Sequence, residues 1–242
     1  MAETLLVAGV RGLGRALALH FAAEGFNVVC AARTAASVEE LARDAAAAQP
    51  AARGLGALGV ACDLRDAAAV ESLCAQAWAR FGGVDLVVAA QTSGAPFAVR
   101  SVLETPPEDV LTGFLGLPLA TLQLLRAAGP RLLAQRGGTL VQIGTGGGFK
   151  VRDGMAGLAA PQHALRVLVE GAGRELKASN VHCAYLAIEG QLDTPRSAGY
   201  IARNGLEKTV PCGEVARAIA YLHRQEARAW SHELSIRPSA AP

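Results

Sequence analysis

The sequence is poor in aromatic residues and in lysine, and it has no cluster of basic residues. Aromatic residues make up 5% of the 242 positions, and the 23 basic residues are nearly all arginine, with lysine only at 150, 177 and 208. The surfaces that bind nucleic acids need basic residues clustered on one face. The dispersed arginines and the net charge of +2 therefore argue against a nucleic-acid partner.

Paired cysteines and long apolar runs are also lacking. The five cysteines are odd in number and scattered, mostly within apolar runs, which predicts buried thiols in a reducing cytoplasm and neither disulfides nor a zinc site. Arg, Glu or Gly interrupts the apolar stretches well before the roughly 18 residues of a membrane span. The first residues already belong to a predicted strand, which leaves no room for a signal peptide. We therefore expect a cytoplasmic protein without a membrane anchor.

Three common kinds of catalytic site have no support in the sequence. We find no Ser-His-Asp spacing, no metal-ligand cluster and no paired carboxylates. The sequence therefore predicts no hydrolytic triad and no metal site.

Apolar runs of strand length alternate with helical patterns along the whole chain. The first run begins at Thr4, and others follow at 27–32, 58–62, 84–90, 137–143, 181–188 and 233–237. The helices between them are predicted at about 13–25, 35–49, 67–81, 107–135, 155–178 and 211–228. This order predicts an α/β protein with a doubly wound parallel sheet, the Rossmann fold. With 242 residues and no Gly/Ser linker, we expect one domain over 1–242.

A glycine-rich turn joins the first predicted strand to the first predicted helix. Gly12 and Gly14 would let a pyrophosphate approach the N-terminus of that helix. A lone glycine motif also fits an ordinary strand–turn–helix unit. Its position at the head of the strand–helix alternation favours a dinucleotide site.

Taken in this order, the chain resembles the short-chain dehydrogenase/reductase family over essentially its whole length. Gly12-Leu13-Gly14 is similar to the second half of the family's glycine-rich turn. The first half differs, because Gly9 lies one residue nearer to Gly12 than the family's first glycine does. An ungapped alignment places Ala8 there instead.

Two arginines indicate which cofactor the resemblance implies. Arg11 precedes the second glycine of the turn, and Arg33 follows the second predicted strand, where family members that prefer NADP carry basic residues. Two guanidinium groups beside the adenosine ribose would bind a 2′-phosphate through charge-assisted hydrogen bonds. No acidic residue ends that strand to bind a 2′-hydroxyl, which argues against NAD. The alternative is that both arginines only solvate loop edges.

The resemblance implies further cofactor contacts at the ends of other strands. Asp63 and Leu64 resemble the pair that contacts adenine, and Ala90 and Ile188 follow or end the fourth and sixth strands. Thr194 lies in the loop that faces the nicotinamide in this family. Together these residues predict an NADP(H) site.

The reaction centre differs from the family pattern. Family members use a tyrosine acid, a lysine four residues later, a serine after the fifth strand and an asparagine on the long helix before that strand. The corresponding positions hold Leu158, Gln162, Thr145 and Gly113. Leucine cannot donate a proton, and glutamine supplies no positive charge. The sequence therefore predicts that only Thr145 keeps a catalytic hydroxyl.

Other residues could replace the missing acid. Tyr200 lies in the segment that covers the substrate site in this family and is the main candidate. Tyr185, inside the sixth strand, and Tyr221, on a late helix, are interpreted as structural. His163 is adjacent to the lysine position but about 100° away around the helix, so it is expected to face elsewhere.

Three hypotheses for function follow. The first is an NADP(H)-dependent oxidoreductase that uses an unconventional proton donor, or a substrate such as an iminium or a conjugated alkene that needs little acid help. The second is an inactive relative that senses a nucleotide or is the heteromeric partner of an active paralogue. The third, a cofactor-free lyase or isomerase, has no residue in its favour.

The sequence also bears on partners. The helix predicted at 155–178 has small and apolar residues around much of its surface, and relatives pair through this helix. We therefore expect a homodimer or homotetramer, although packing against the chain's own sheet alone would also account for this surface. The small-molecule substrate is not identified by the sequence.

Overall fold

The central strands are continuous apolar runs that are buried on both faces, as parallel strands covered by helices must be, while the edge strands Ala57–Ala61 and Glu233–Ile236 are partly exposed. Leu5, Leu6 and Val7 of the first strand are all 0% exposed. The computed structural model describes residues 2–51 and 54–240. Over these residues the predicted alternation of strands and helices is confirmed.

The described residues form nine strands and eight α-helices. The strands are β1 Thr4–Ala8, β2 Asn27–Ala32, β3 Ala57–Ala61, β4 Leu86–Ala89, β5 Gly138–Thr145, β6 Val181–Ile188, β7 Gln191–Leu192, β8 Thr209–Val210 and β9 Glu233–Ile236. The helices are α1 Leu13–Ala23, α2 Ala35–Ala48, α3 Ala67–Phe81, α4 Pro107–Phe114, α5 Ala120–Gln135, α6 Ala156–Leu176, α7 Ala198–Asn204 and α8 Cys212–His223.

Seven parallel strands form the sheet in the order β3-β2-β1-β4-β5-β6-β9. The order reverses beside β1, which pairs with β2 on one side and with β4 on the other. In open parallel sheets ligands bind outside the carboxyl ends of the strands at this reversal. The predicted cofactor residues follow these strand ends.

Alternate residues of each strand divide the core into two layers. Leu5 and Val7 face the layer of α1, α2 and α8, while Leu6 and Ala8 face that of α3, α5 and α6. All five cysteines are buried, as predicted.

The predicted long helix over 107–135 contains a joint. A π-helical turn, Leu115–Leu119, connects α4 to α5 and contains Pro118, whose missing N–H cannot continue α-helical bonding. Gly116 is also within it, and a methyl group there would lie 1.9 Å from the carbonyl oxygen of Ser93. The sequence predicts a joint at Gly113, Gly116 or Pro118, and the π-helical turn contains the last two of these residues.

The sequence predicts no membrane span. By length and composition alone, the helical run Pro107–Gln135 is nevertheless apolar enough to cross a membrane, with a mean hydropathy of 1.4 over 18 residues. However, Leu124, Ala128 and Leu132 are 0% exposed in the layer between the sheet and the neighbouring helices. Burial in the core of an α/β layer accounts for the apolar residues of this helix.

The connection after β6 is more ordered than predicted. The residue pattern over 189–210 predicts a long irregular connection. The structure instead contains the helix α7 and a small parallel pair of strands, β7 and β8.

Candidate cofactor and reaction site

The turn between β1 and α1 requires its glycines. Gly9 and Gly12 have φ of 99° and 51°, in the left-handed region that favours glycine. A methyl group at Gly14 would lie 1.6 Å from the carbonyl oxygen of Gly9. Ala8 is a strand residue paired with Ala31 and Ala89. The first glycine of the turn is therefore Gly9, and not Ala8 as in the ungapped alignment.

Two other predicted cofactor residues lie against this turn. A methyl group at Gly9 would meet the carbonyl oxygen of Ala90 at 2.7 Å, and one at Gly12 would lie 3.4 Å from Cγ2 of Thr194. Leu13 is buried beneath the turn, with 6% exposure. At Gly9 and Gly14 there is therefore no room for a side chain, and only backbone lies at the start of α1 at these two positions.

Both arginines of the predicted phosphate site are exposed at the carboxyl edge of the sheet. Arg11 precedes Gly12, and Arg33 directly follows β2. Among the described residues, neither side chain forms a hydrogen bond or an ion pair. Their guanidinium groups are thus open to a ligand.

Asp63 is held by Arg65, two residues further along the chain. Arg65 donates from Nη2 to one carboxylate oxygen at 2.6 Å and from Nε to the other at 3.0 Å. This hydrogen bonding, together with the charge of Arg33, lowers the pKa of the Asp63 carboxyl to about 2. Leu64 beside it is buried, with 9% exposure. Asp63 is therefore ionised and already bound on both oxygens.

Thr145 ends β5 at the opposite side of the crevice. Its Oγ1 accepts a hydrogen bond from the N–H of Gly147 at 3.2 Å, which caps the glycine-rich turn after the strand. The residue is exposed, and in the sheet it is paired with Ile188 at the end of β6. No described residue accepts the proton of this hydroxyl, so it can donate to an acceptor in the crevice.

Leu158 and Gln162 lie half-buried on the first two turns of α6. Leu158 borders a small void of about 20 Å³ that is also lined by Pro96, Ala98 and Arg100. Neither residue can supply or take a proton at neutral pH.

Tyr185, interpreted from the sequence as structural, reaches this end of the site from β6. Its hydroxyl accepts the N–H of Thr145 at 3.1 Å and lies 3.2 Å from Oε1 of Gln162. The side chain is 1% exposed, and burial raises the pKa of the phenol to about 12. The glycines of the loop after β5 are the sequence feature that accompanies this contact, because methyl groups at Gly144 and Gly148 would lie 2.0 and 2.4 Å from the Tyr185 hydroxyl.

Tyr200, the other candidate acid, forms no hydrogen bond with Thr145. Tyr200 lies half-buried on α7, and its side chain forms no hydrogen bond with the described residues. His163 directs Nδ1 to the carbonyl oxygen of Ala159, 3.2 Å away, on its own helix.

Gly113 lies opposite a proline. A methyl group on Gly113 would lie 2.8 Å from Cγ of Pro161, which belongs to α6 between Leu158 and Gln162. The proline ring occupies the space into which a side chain at 113 would extend. Replacing this glycine therefore requires a change in its neighbour.

Comparison with known proteins adds to this geometry. A family model described as short chain dehydrogenase matches residues 3–201. The chain belongs to the short-chain dehydrogenase family.

Individual relatives agree with this assignment. The 1-deoxy-11-beta-hydroxypentalenate dehydrogenase of Streptomyces avermitilis is 32% identical over 226 residues, which cover 90% of this chain and 79% of that protein. The 3-oxoacyl-[acyl-carrier-protein] reductase FabG of Staphylococcus aureus is 27% identical over 75% of this chain and 71% of its own. An alcohol dehydrogenase from the archaeon Thermococcus sibiricus, solved in complex with 5-hydroxy-NADP, shares the fold with a TM-score of 0.82 at 20% identity, over 100% of this chain and 99% of that one.

Of the four residues at the positions that correspond to the family's catalytic residues, Thr145 alone carries a hydroxyl, and it is exposed. Thr145 can donate a hydrogen bond to an oxygen or a nitrogen, but an aliphatic hydroxyl is a weak acid. The phenol of Tyr185 is buried behind Thr145 and Gln162. The arrangement can therefore orient a polar group more readily than protonate it.

The contact between Gly113 and Pro161 predicts how the site tolerates change. We expect Gly113→Asn to lower the free energy of unfolding by about 2 kcal/mol, because the added side chain overpacks against the proline ring. Adding Pro161→Ala should restore at least half of that loss. Urea denaturation of the two variants measures both effects.

Gly213 provides the matched control. It is also a helical glycine, exposed on α8, and nothing lies within 4 Å of a methyl group built there. Gly213→Asn should leave the stability within about 0.5 kcal/mol of the unaltered protein. A similar loss in both asparagine variants would contradict overpacking as the cause.

Proposed function

We propose that this protein is an NADP(H)-binding oxidoreductase of the short-chain dehydrogenase family whose reaction centre lacks the usual proton donor. One observation carries the proposal: Arg11 in the glycine turn and Arg33 after β2 are both exposed, and neither side chain has a hydrogen-bond or ion-pair partner among the described residues. The chemistry is atypical hydride transfer to a carbonyl, an imine or an enone of a small molecule.

The residues present fit a nicotinamide dinucleotide. Side chains at Gly9 or Gly14 would fill the space beside the N-terminus of α1, and a helix N-terminus attracts the negative charge of a pyrophosphate. Arg11 and Arg33 would bind the 2′-phosphate, and Thr194 would close the crevice over Gly12. A bound nicotinamide supplies the hydride donor or acceptor.

The reaction end suits substrates that need little acid help. Thr145 would orient the polar atom of the substrate through its hydroxyl. Leu158 and Gln162 add neither an acid nor a positive charge. A carbonyl that develops a full alkoxide is therefore less favoured than an iminium or a conjugated alkene, in which charge is neutralised or spread over more atoms.

The named relatives support the general class of reaction. One is a dehydrogenase of a hydroxylated pentalenate, and another reduces 3-oxoacyl groups on a carrier protein. Both names describe the interconversion of a carbonyl and a hydroxyl. We therefore place a small organic carbonyl, imine or enone in the crevice.

Titration of the pure protein with NADPH and with NADH, followed by cofactor fluorescence, tests the binding. We expect NADPH to bind at least about tenfold more tightly, because only it carries the phosphate that the arginines recognise. Absorbance assays with ketones, imines and enones then test the reaction. Failure to bind NADPH would overturn the proposal.

A second candidate function is an inactive partner subunit. The packing of Pro161 against Gly113 favours it, because the space beside α6 is filled by apolar atoms. Tight NADPH binding with no turnover, together with co-purification of an active family member, would support this alternative.

A further inference from the structure

We propose that Tyr185 is a positioning residue whose buried hydroxyl fixes both Thr145 and Gln162 at the reaction end of the crevice. The proposal rests on the proposed NADP(H) site, and it assigns to this tyrosine more than a packing role.

The hydroxyl of Tyr185 connects two elements that are separate in the sequence. It accepts the N–H of Thr145 at 3.1 Å and lies 3.1 Å from the carbonyl oxygen of the same residue. It also lies 3.2 Å from Oε1 of Gln162, on α6. One buried group thus links the end of β5 to the helix that borders the crevice.

Two glycines leave the space that the Tyr185 hydroxyl occupies. Methyl groups at Gly144 and Gly148 would lie 2.0 and 2.4 Å from the phenol oxygen, so only glycine fits at either position. Phe149 packs edge-on against the ring, with centroids 5.7 Å apart. A phenylalanine at 185 would keep the ring packing and remove the hydrogen bonds alone.

The contact with Gln162 has a consequence for the crevice. With Oε1 directed to the phenol, Nε2 of Gln162 donates to none of the described residues and is not among the buried polar atoms left without a partner. The Cγ atom of Gln162 and Oγ1 of Thr145 lie 3.8 and 3.1 Å from a methyl group built at Gly147. The side chains of Gln162 and Thr145 therefore lie beside the same glycine, and we assign to the amide N–H groups and the threonine hydroxyl the role of donating to oxygen atoms of a bound ligand.

The first test compares Tyr185→Phe with the unaltered protein in the absence of any cofactor. We expect amide hydrogen exchange in a peptide covering 143–150 to be about tenfold faster in the variant, because the N–H of Thr145 loses its acceptor. Tyr221→Phe is the matched control, since Tyr221 is 60% exposed on α8 and should leave exchange unchanged. Unchanged exchange in a folded Tyr185→Phe protein would overturn the proposal.

The second test is a double-mutant cycle on the NADPH dissociation constant. Tyr185→Phe and Gln162→Leu should each raise that constant about fivefold, the loss expected for one net hydrogen bond. The two effects should be clearly less than additive, because Tyr185 acts in part through Gln162. Additive effects would show that Tyr185 does not act through Gln162 and would overturn the proposal.

A third variant keeps the proposal testable if Tyr185→Phe does not fold. In Gln162→Glu a carboxylate oxygen still accepts from the phenol, but no N–H is left for the ligand. Exchange over 143–150 should stay slow while the NADPH dissociation constant rises as in Gln162→Leu. Faster exchange, or unchanged NADPH binding, would contradict the assigned roles. If the unaltered protein binds no NADPH, the proposed function fails, and the exchange data alone decide the role of Tyr185.

Discussion

Replacing Arg11 and Arg33 together by alanine should weaken NADPH binding about 30- to 100-fold and leave NADH binding within about threefold. Each guanidinium is expected to contribute a charge-assisted hydrogen bond to the 2′-phosphate, worth about 1–1.5 kcal/mol net at an exposed site. NADH has no such phosphate. Fluorescence titrations of both cofactors against both proteins measure the difference.

Salt dependence gives the same prediction a second readout. Salt screens the attraction between exposed charges. The Debye length is about 8 Å at physiological ionic strength, and it becomes shorter as the salt concentration rises. The NADPH dissociation constant of the unaltered protein should therefore rise with salt more steeply than that of the double-alanine variant.

Arg15 serves as the control for this pair. It is an exposed arginine on α1, but its guanidinium is bound to Asp44 at 2.5 Å. Arg15→Ala should not change the preference for NADPH. If the Arg11/Arg33 variant lost NADPH and NADH binding equally, these side chains would contact a group that both cofactors share. That result would contradict the assignment of the arginines to the 2′-phosphate.

The fold could be predicted from the sequence because its signals are local. Each central strand is a continuous apolar run, since it is covered on both faces, and glycine or proline marks most of the boundaries. The joint near Gly116 and Pro118 was predictable for the same reason, because these residues disturb a helix wherever they occur.

The contacts of the candidate site were less predictable, since they connect distant parts of the chain. Tyr185 follows Thr145 by 40 residues, and nothing in the local pattern of β6 indicates which way its ring points. The contact of Gly113 with Pro161 depends in the same way on how α4 packs against α6. Arg65, in contrast, lies two residues from Asp63 and could have been recognised from the sequence.

Restoring the family's acid is expected to create a carbonyl reductase activity. The variant Leu158→Tyr/Gln162→Lys should oxidise NADPH in the presence of a ketone or a β-keto ester at least about 100-fold faster than the unaltered protein, since a positioned general acid contributes roughly 10²- to 10⁴-fold. The two positions are one helical turn apart, so the introduced ammonium lies beside the introduced phenol and lowers its pKa. The phenol oxygen of Tyr185, 3.2 Å from Oε1 of Gln162, remains a hydrogen-bond acceptor for the new lysine.

The single variants and a ring-matched control separate the contributions. Leu158→Tyr alone leaves the phenol at its ordinary pKa of about 10, and Gln162→Lys alone supplies no acid at 158, so each should gain less than about tenfold. Leu158→Phe/Gln162→Lys has the same ring and the same charge but no hydroxyl, and it should match the lysine variant. If the restored variant binds NADPH as tightly as the unaltered protein but reduces no carbonyl, then the missing acid is not what limits this site. The filled space between Gly113 and Pro161 would then be the next part to reopen, with Pro161→Ala added to the restored pair.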